Sequence, residues 1–235
     1  MATTESQWYP YDKIYGGYYD LSDTDEIPRR IMDYLLDMPD GTYEPKDDNK
    51  RARVRLWKYL YYDGARPIDN PLPTLQQKKQ VLFNPDKPDE PADKNKGYRL
   101  IPQPFAPGVE QVAQTRIYVY MGRTIASDDL HVQLAVTFDI WTHNTQEANT
   151  KLNESYSRLF AMEQAIIEAF HGIDMGGVGT FYFNRQKHPD CGTLLLGDGK
   201  SNFGRRVTLG LEVKSNTQNE PIENNGPRLG NGSFG

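Results

Sequence analysis

The sequence predicts an α+β protein: an antiparallel or mixed four-stranded sheet with a long helix packed on one face, plus an N-terminal helical extension. Three observations carry that expectation. Two segments alternate strictly between apolar and polar residues, which is the period of a strand with one buried face. A stretch between them repeats apolar residues at spacings of three and four, the stripe of an amphipathic helix. The order strand, strand, helix, strand, strand then fits within residues 114–215. One helix covering one sheet face makes a two-layer domain.

Residues 1–25 form a tyrosine-rich arm, with Tyr9, Tyr11, Tyr15, Tyr18 and Tyr19 set among glycine and aspartate and no helical period. Tyrosine offers large contact area at low entropic cost. The arm therefore either orders on a neighbouring subunit or packs on its own domain.

Residues 26–107 read as the helical extension. Asp25 is an N-cap candidate and Pro28 suits the first turn of a helix carrying Ile31, Tyr34, Leu35 and Met38, which Pro39-Asp40-Gly41 stops. A second helix is expected over 50–62, with Val54, Trp57, Leu60 and Tyr61 as its apolar stripe and Arg51, Arg53, Arg55 and Lys58 as its polar face. A third short helix is expected over 74–83, capped by Thr74. Pro85, Pro88 and Pro91 stiffen a solvated loop over 84–96, and 100–107 is an extended proline-rich connector.

Residues 108–215 carry the α+β domain. Its first strand is Arg116-Ile117-Tyr118-Val119-Tyr120-Met121. In the second, Val132, Leu134, Val136, Phe138 and Ile140 alternate with His131, Gln133, Ala135, Thr137 and Asp139, which places the latter on a wet or partner-facing side. A single helix is expected to run to about His171, with Leu152, Tyr156, Leu159, Phe160, Ile166, Ile167 and Phe170 on one stripe and Gly172 at its end. Thr180-Phe181-Tyr182-Phe183 and the alternating segment Val207, Leu209, Leu211, Val213 supply the last two strands. Residues 216–235, rich in asparagine, glycine and proline, read as a mobile tail or a second arm.

Composition narrows the function. A net charge of −5 and a pI near 5.4 argue against nucleic acid as the main ligand, although DNA can pass an acidic wall without sticking. Cys191 is the only cysteine, so no intrachain disulfide forms. The opening residues Met1–Trp8 lack a basic stretch followed by an apolar one, and no apolar run nears the ~20 residues of a membrane span. The expectation is a protein made in the cytoplasm, without a membrane segment.

Candidates for chemistry are weak. His131, His143, His171, His188 and Cys191 include one local metal-ligand spacing, His188 to Cys191, and nothing that completes a set. Cys191 as a nucleophile has only His188 nearby as a base, and Pro189-Asp190-Cys191-Gly192 reads first as a turn. The glycines of 172–179 follow a helix and precede a strand, the reverse of a phosphate cradle. Asp139, Glu163 and Glu168 read as solvated carboxylates rather than an acid–base pair. No catalytic residue, metal or cofactor is predicted, and the chain reads as non-enzymatic. Gly197-Asp198-Gly199 and 201–206 make a flexible connection that projects either to solvent or to a neighbour.

Several residues together resemble a tailed-bacteriophage neck protein of the tail-terminator and tail-completion class. They are the strand Thr115–Tyr120, the strand ending Thr137-Phe138-Asp139-Ile140-Trp141-Thr142-His143, the polar helix opening Asn144-Thr145-Gln146-Glu147, the hairpin Gly179–Asn184 and the strand 206–213. The likeness covers about the last half of the chain. It implies a virion structural protein assembled in the host cytoplasm, forming a commonly hexameric ring that caps the tail tube and joins it to the head connector. The partners it implies are other copies of the chain, tail tube and sheath proteins and head-closure proteins, with DNA passing through unbound. On that basis the expected interface residues are Tyr15, Tyr18, Tyr19, Arg51, Arg55, Trp57, Tyr118, Tyr120, Trp141, Arg205 and Arg206. Within the same class, a head-closure, tube or baseplate protein is the alternative. From other classes, the competing expectations are a small-molecule-binding α+β enzyme, and a nucleic-acid binder using Arg51, Arg53, Arg55, Lys58 and Trp57.

Overall fold

The computed structural model describes residues 27–37, 48–88, 90–104, 114–126, 132–154, 157–175, 179–197 and 201–212. The arm with Tyr15, Tyr18 and Tyr19, the C-terminal tail, His131 and residues 176–178 of the glycine-rich turn lie outside the described residues.

Helix α1 (Ile27–Leu36) carries Pro28 in its first turn, where a missing N–H costs no hydrogen bond, and buries Ile27, Ile31, Met32 and Leu35. Helix α2 (Asp48–Tyr61) has Asp48 in its first turn, favourable to the helix dipole, and buries Ala52, Leu56, Trp57 and Leu60. Helix α3 (Leu75–Gln80) starts from a capping box. The Thr74 hydroxyl accepts from the Gln77 N–H at 3.3 Å, and the Gln77 side chain accepts from the Thr74 N–H at 2.9 Å.

The strands are β1 (Leu100–Ile101), β2 (Arg116–Met121), β3 (Ile125–Ala126), β4 (Val132–His143), β5 (Asp174–Met175), β6 (Gly179–Tyr182), β7 (Gly192–Gly197) and β8 (Asn202–Glu212). They form one sheet in the order β1-β2-β4-β8-β6-β5, with β3 paired to β4 and β7 paired to β8. Only β1–β2 is parallel. The sheet is therefore mixed, but it has eight strands rather than the expected four. β1, β3 and β5 have two residues each, too few to show any period, and β7 lacks alternation because its leucines run consecutively.

Register explains how these strands fit together. β2 pairs with β4 from Arg116↔Trp141 to Met121↔Val136, and β3 resumes at Ile125↔Gln133. Three residues intervene on one strand and two on the other, so β3 continues β2 beyond a one-residue bulge. Along β8, β6 ends at Tyr182↔Gly210 and β7 begins at Gly192↔Thr208. β6 and β7 are thus one edge interrupted by the excursion 183–191, which folds back over the sheet. A Cβ on Gly210 would lie 2.9 Å from His188 Cβ and 3.1 Å from Cys191 Sγ. Glycine is what allows the loop to sit there.

The predicted single helix is two: α4 (Asn144–Glu154), which continues directly from β4, and α5 (Arg158–Phe170). Ser157 restarts the helix, its Oγ accepting from the Phe160 N–H at 3.1 Å. A serine side chain competes for backbone donors and favours this capping role over a mid-helix position. Gly172 (φ 77°) follows α5 in the left-handed conformation that ends many helices.

The main core lies between the sheet and the helices. Leu134, Val136, Phe138, Ile140, Val207, Leu209 and Leu211 are buried with Met162, Ala165, Ile166 and Phe170 of α5, and α1 and α2 share the same cluster. The Phe170 ring joins the layers, 5.1 Å from Phe138, 5.6 Å from Phe181 and 5.3 Å from Tyr34. The opposite face of β4 is not wet as expected: Ala135, Thr137 and Asp139 are buried too. At one end that face is covered by a second cluster of Phe83, Tyr98, Ile101 and Tyr118, and at the other by the excursion 183–191.

Two buried arginines grip the C-terminal end of α2, where helix carbonyls lack intrahelical partners. Arg158 donates to Tyr59 O, Tyr62 O and Gly64 O at 3.0, 2.8 and 2.7 Å. Arg99 donates to Leu60 O at 2.8 Å and to both carboxylate oxygens of Asp63 at 2.8 and 2.5 Å. Asp63 also accepts from Gln146 at 2.7 Å, and Gln146 accepts from Thr115 at 2.9 Å, which ties α2 to α4 and the start of β2. The expected polar face of α2 is partly interior as well. Arg53 is buried, stacks 4.2 Å from the Tyr34 ring and donates to Tyr34 O and Asp37 O at the end of α1.

Candidate functional site

β7 pairs with β8 on one side, and its outer edge is unpaired among the described residues. Its sequence, Gly-Thr-Leu-Leu-Leu-Gly, contains none of the devices that blunt a free edge: no lysine, no proline, no bulge. Leu194 is 57% exposed, Leu195 72%, Phe203 50% and Phe160 46%, which makes this an apolar surface region among the described residues. Directly paired residues share a sheet face, so Leu195 opposite Arg205 lies on the helix side with Phe203, and Leu194 opposite Arg206 lies on the other. On the helix side, Arg205 pairs with the buried carboxylate of Glu163 and stands 5.9 Å from the Phe160 ring.

The other side of β7 borders a cleft of about 560 Å³. Thr137, Thr208, Tyr120 and Arg206 form its floor, Met121, Gly122 and Arg123 one wall, and the 185–193 segment the other. Arg206 forks onto Asp139, Nε and Nη2 each 2.7 Å from a carboxylate oxygen, and Tyr120 donates to the same carboxylate at 2.8 Å. Burial, then the Asp139 hydrogen bond and charge, push the Tyr120 phenol far above its ordinary value. The Asp139 hydrogen bond likewise pushes Arg206 up. Both groups keep their protons, so the trio acts as a fixed cross-strand clasp.

The wall is pinned by His188, which is fully buried. Its Nε2 lies 2.9 Å from Arg123 O and its Nδ1 accepts from the Asp190 N–H at 3.1 Å, an arrangement that places the proton on Nε2. Cys191 is buried with its thiol 3.5 Å from Tyr182 O, and burial pushes that thiol up. His188 and Cys191 thus hold the loop on the sheet. Arg185 donates to Cys191 O at 3.2 Å, and neither it nor Arg123 has a carboxylate partner among the described residues.

The predicted interface residues divide. Tyr120, Arg205 and Arg206 come together around β7 and the cleft. Trp141 lies beside them, its ring over Gly204, where a Cβ would be 3.0 Å away. Tyr118 belongs to the second apolar cluster. Trp57 is 1% exposed and donates to Leu35 O at 2.8 Å, inside the chain's own core. Arg55 pairs with Glu168 at 2.7 Å and Arg51 with Asp48 on the outer face of α2. With Trp57 and Arg53 interior, that helix presents no stacking platform for bases. Sequence reasoning missed Leu194, Leu195, Arg123 and Arg185. The glycine-bounded leucine run was the available signal for the first two, whereas the arginines line one cleft only through the bulge and the excursion.

A family model matches residues 54–191, from within α2 to the cysteine that closes the cleft wall. That span is more than half of the sequence. The chain belongs to the YomW family. This family is phage-associated, of the SPbeta-like prophage kind. The matched YomW span contains the Arg99–Asp63 and Arg158 contacts, the β2–β4 pairing and the excursion, and it stops just before β7. No curated protein and no solved structure matches the chain.

Proposed function

We propose that the chain is a non-enzymatic structural protein of the virion neck, of the tail-terminator or tail-completion kind. It forms a ring by head-to-tail association of identical subunits, caps the tail tube and joins it to the head connector. The observation that carries this reading is β7, six residues of free, uncharged, apolar strand edge flanked by exposed Leu194, Leu195 and Phe203. Such an edge pairs with another chain or aggregates. Repeating one heterologous contact around a rotation axis closes a ring. Phage-associated family membership supports the setting. Partners at the two ring faces are tube and connector proteins, and DNA passes through the lumen without specific contacts.

Negative-stain imaging across concentration, paired with mass determination, tests the reading. Closed rings around a hole at least as wide as duplex DNA, about 20 Å, are the expected result. Discrete dimers that never grow would mean that β7 pairs with β7 of one partner copy, a closed two-fold contact that cannot make a ring.

A further inference from the structure

We propose that the cleft beside β7 receives the acidic N-terminal segment of a neighbouring copy, so that subunits are joined by exchanged arms as well as by the strand edge. The exchange presupposes the self-assembling chain proposed above and names what the open sheet face binds.

Charge complementarity carries it. The cleft is lined by Arg123, Arg185 and Arg206, against Asp190 in the wall and Asp139 beneath the floor. Asp139 is already committed to Arg206 and Tyr120, while Arg123 and Arg185 are exposed and lack carboxylate partners among the described residues. A cationic cleft on a chain of net charge −5 is a local reversal of sign. The sequence supplies a matching segment in Tyr18-Tyr19-Asp20-Leu21-Ser22-Asp23-Thr24-Asp25-Glu26, where four carboxylates stand with no lysine or arginine. Its apolar members match too. Tyr18, Tyr19 and Leu21 are the side chains that Leu194, Pro189, Met121 and the planar guanidinium groups can cover. The hydroxyls of Thr137 and Thr208, 3.5 Å apart and hydrogen-bonded to one another, add a polar patch to the floor.

The topology assigns the arm to a neighbour. α1 begins at Ile27, buried in the core on the helix side of the sheet. Thr137, Arg206 and Thr208 face the other side, alternating with the core residues Phe138, Val207 and Leu209. Ile27 therefore stands on the side of the sheet away from the chain's own cleft, and on that ground we assign the arm to a subunit docked along β7.

The test is binding of a labelled synthetic peptide of residues 15–26 to the full chain, kept dilute enough to remain unassociated, followed by fluorescence anisotropy. The expected result is saturable binding that weakens steeply with salt and drops about ten-fold or more in R123E/R185E. A peptide with Asp20, Asp23, Asp25 and Glu26 changed to their amides is expected not to bind. No binding, or binding unchanged in R123E/R185E, overturns the proposal. Binding seen only with a D20K/D23K/D25K chain would put each arm in its own cleft and overturn the exchange. Rings that form normally while the peptide fails to bind would remove the arm and leave the ring reading intact.

Discussion

Asp63 holds Arg99 by both arms of its guanidinium, at 2.8 and 2.5 Å, at the point where α2 ends. Arg99 is fully buried, and the contact joins the helical first third of the chain to the segment that leads into β1. Replacing Asp63 with alanine leaves a buried guanidinium without its carboxylate. The expected cost is about 3 kcal/mol, read from the urea midpoint at constant slope. In an Arg99→Met background the same substitution should cost much less, because the stranded charge is gone. Additive losses in the double variant would show that the two residues do not act as a pair.

Gly210 lies under the excursion 183–191, where a Cβ would come 2.9 Å from His188 Cβ, closer than such atoms pack, and 3.1 Å from Cys191 Sγ, a tight contact. Gly210→Ala must therefore lift the loop that walls the cleft. We expect a loss of about 1–3 kcal/mol and faster modification of Cys191. Unchanged stability would mean that the loop does not rest on the sheet.

The Tyr120 phenol is held protonated, first by burial and then by its hydrogen bond to Asp139 and that carboxylate's charge. A tyrosine whose folded pKa lies above its unfolded value stabilises the fold fully below the unfolded value. That contribution is lost as pH rises through the folded one. Stability should therefore fall from about pH 10 upward, and Tyr120→Phe should flatten part of that fall. Tyr61 and Tyr62, pushed up mainly by burial, keep the remainder of the slope. Identical alkaline limbs in wild type and Tyr120→Phe would contradict the buried clasp.

Cys191 is 3% exposed, and burial pushes its thiol up. At about pH 8, a thiol reagent should react slowly with the folded chain and release one equivalent at once on unfolding. Fast reaction in the native state would mean that the thiol is accessible and activated.

Much of the fold was legible where side-chain periods are long enough to read. The alternation of Leu134 to Ile140 marked the face that buries α5, and Thr74 and Gly172 marked the two helix ends. What the sequence hid came from tertiary context. Ser157 breaks the long helix because a cap competes with helix continuation, and no stripe of apolar residues registers that. Arg53 read as part of a polar helix face, and nothing in the local pattern singled out Arg99 or Arg158, yet each caps a helix end brought to it by packing. The cleft was illegible for a related reason. Arg123 and Arg185 lie far apart in the chain and line one cleft only because a one-residue bulge and a nine-residue excursion fall side by side.

The central claim is that β7 is an assembly edge, and Leu194→Lys/Leu195→Lys tests it most directly. Both positions are exposed, so the monomer should keep its melting temperature within experimental error. Mass determination and negative-stain imaging of the variant beside wild type should show wild-type rings and variant monomers. Rings of unchanged size in the variant, or a wild-type chain that stays monomeric at every concentration, would contradict the account.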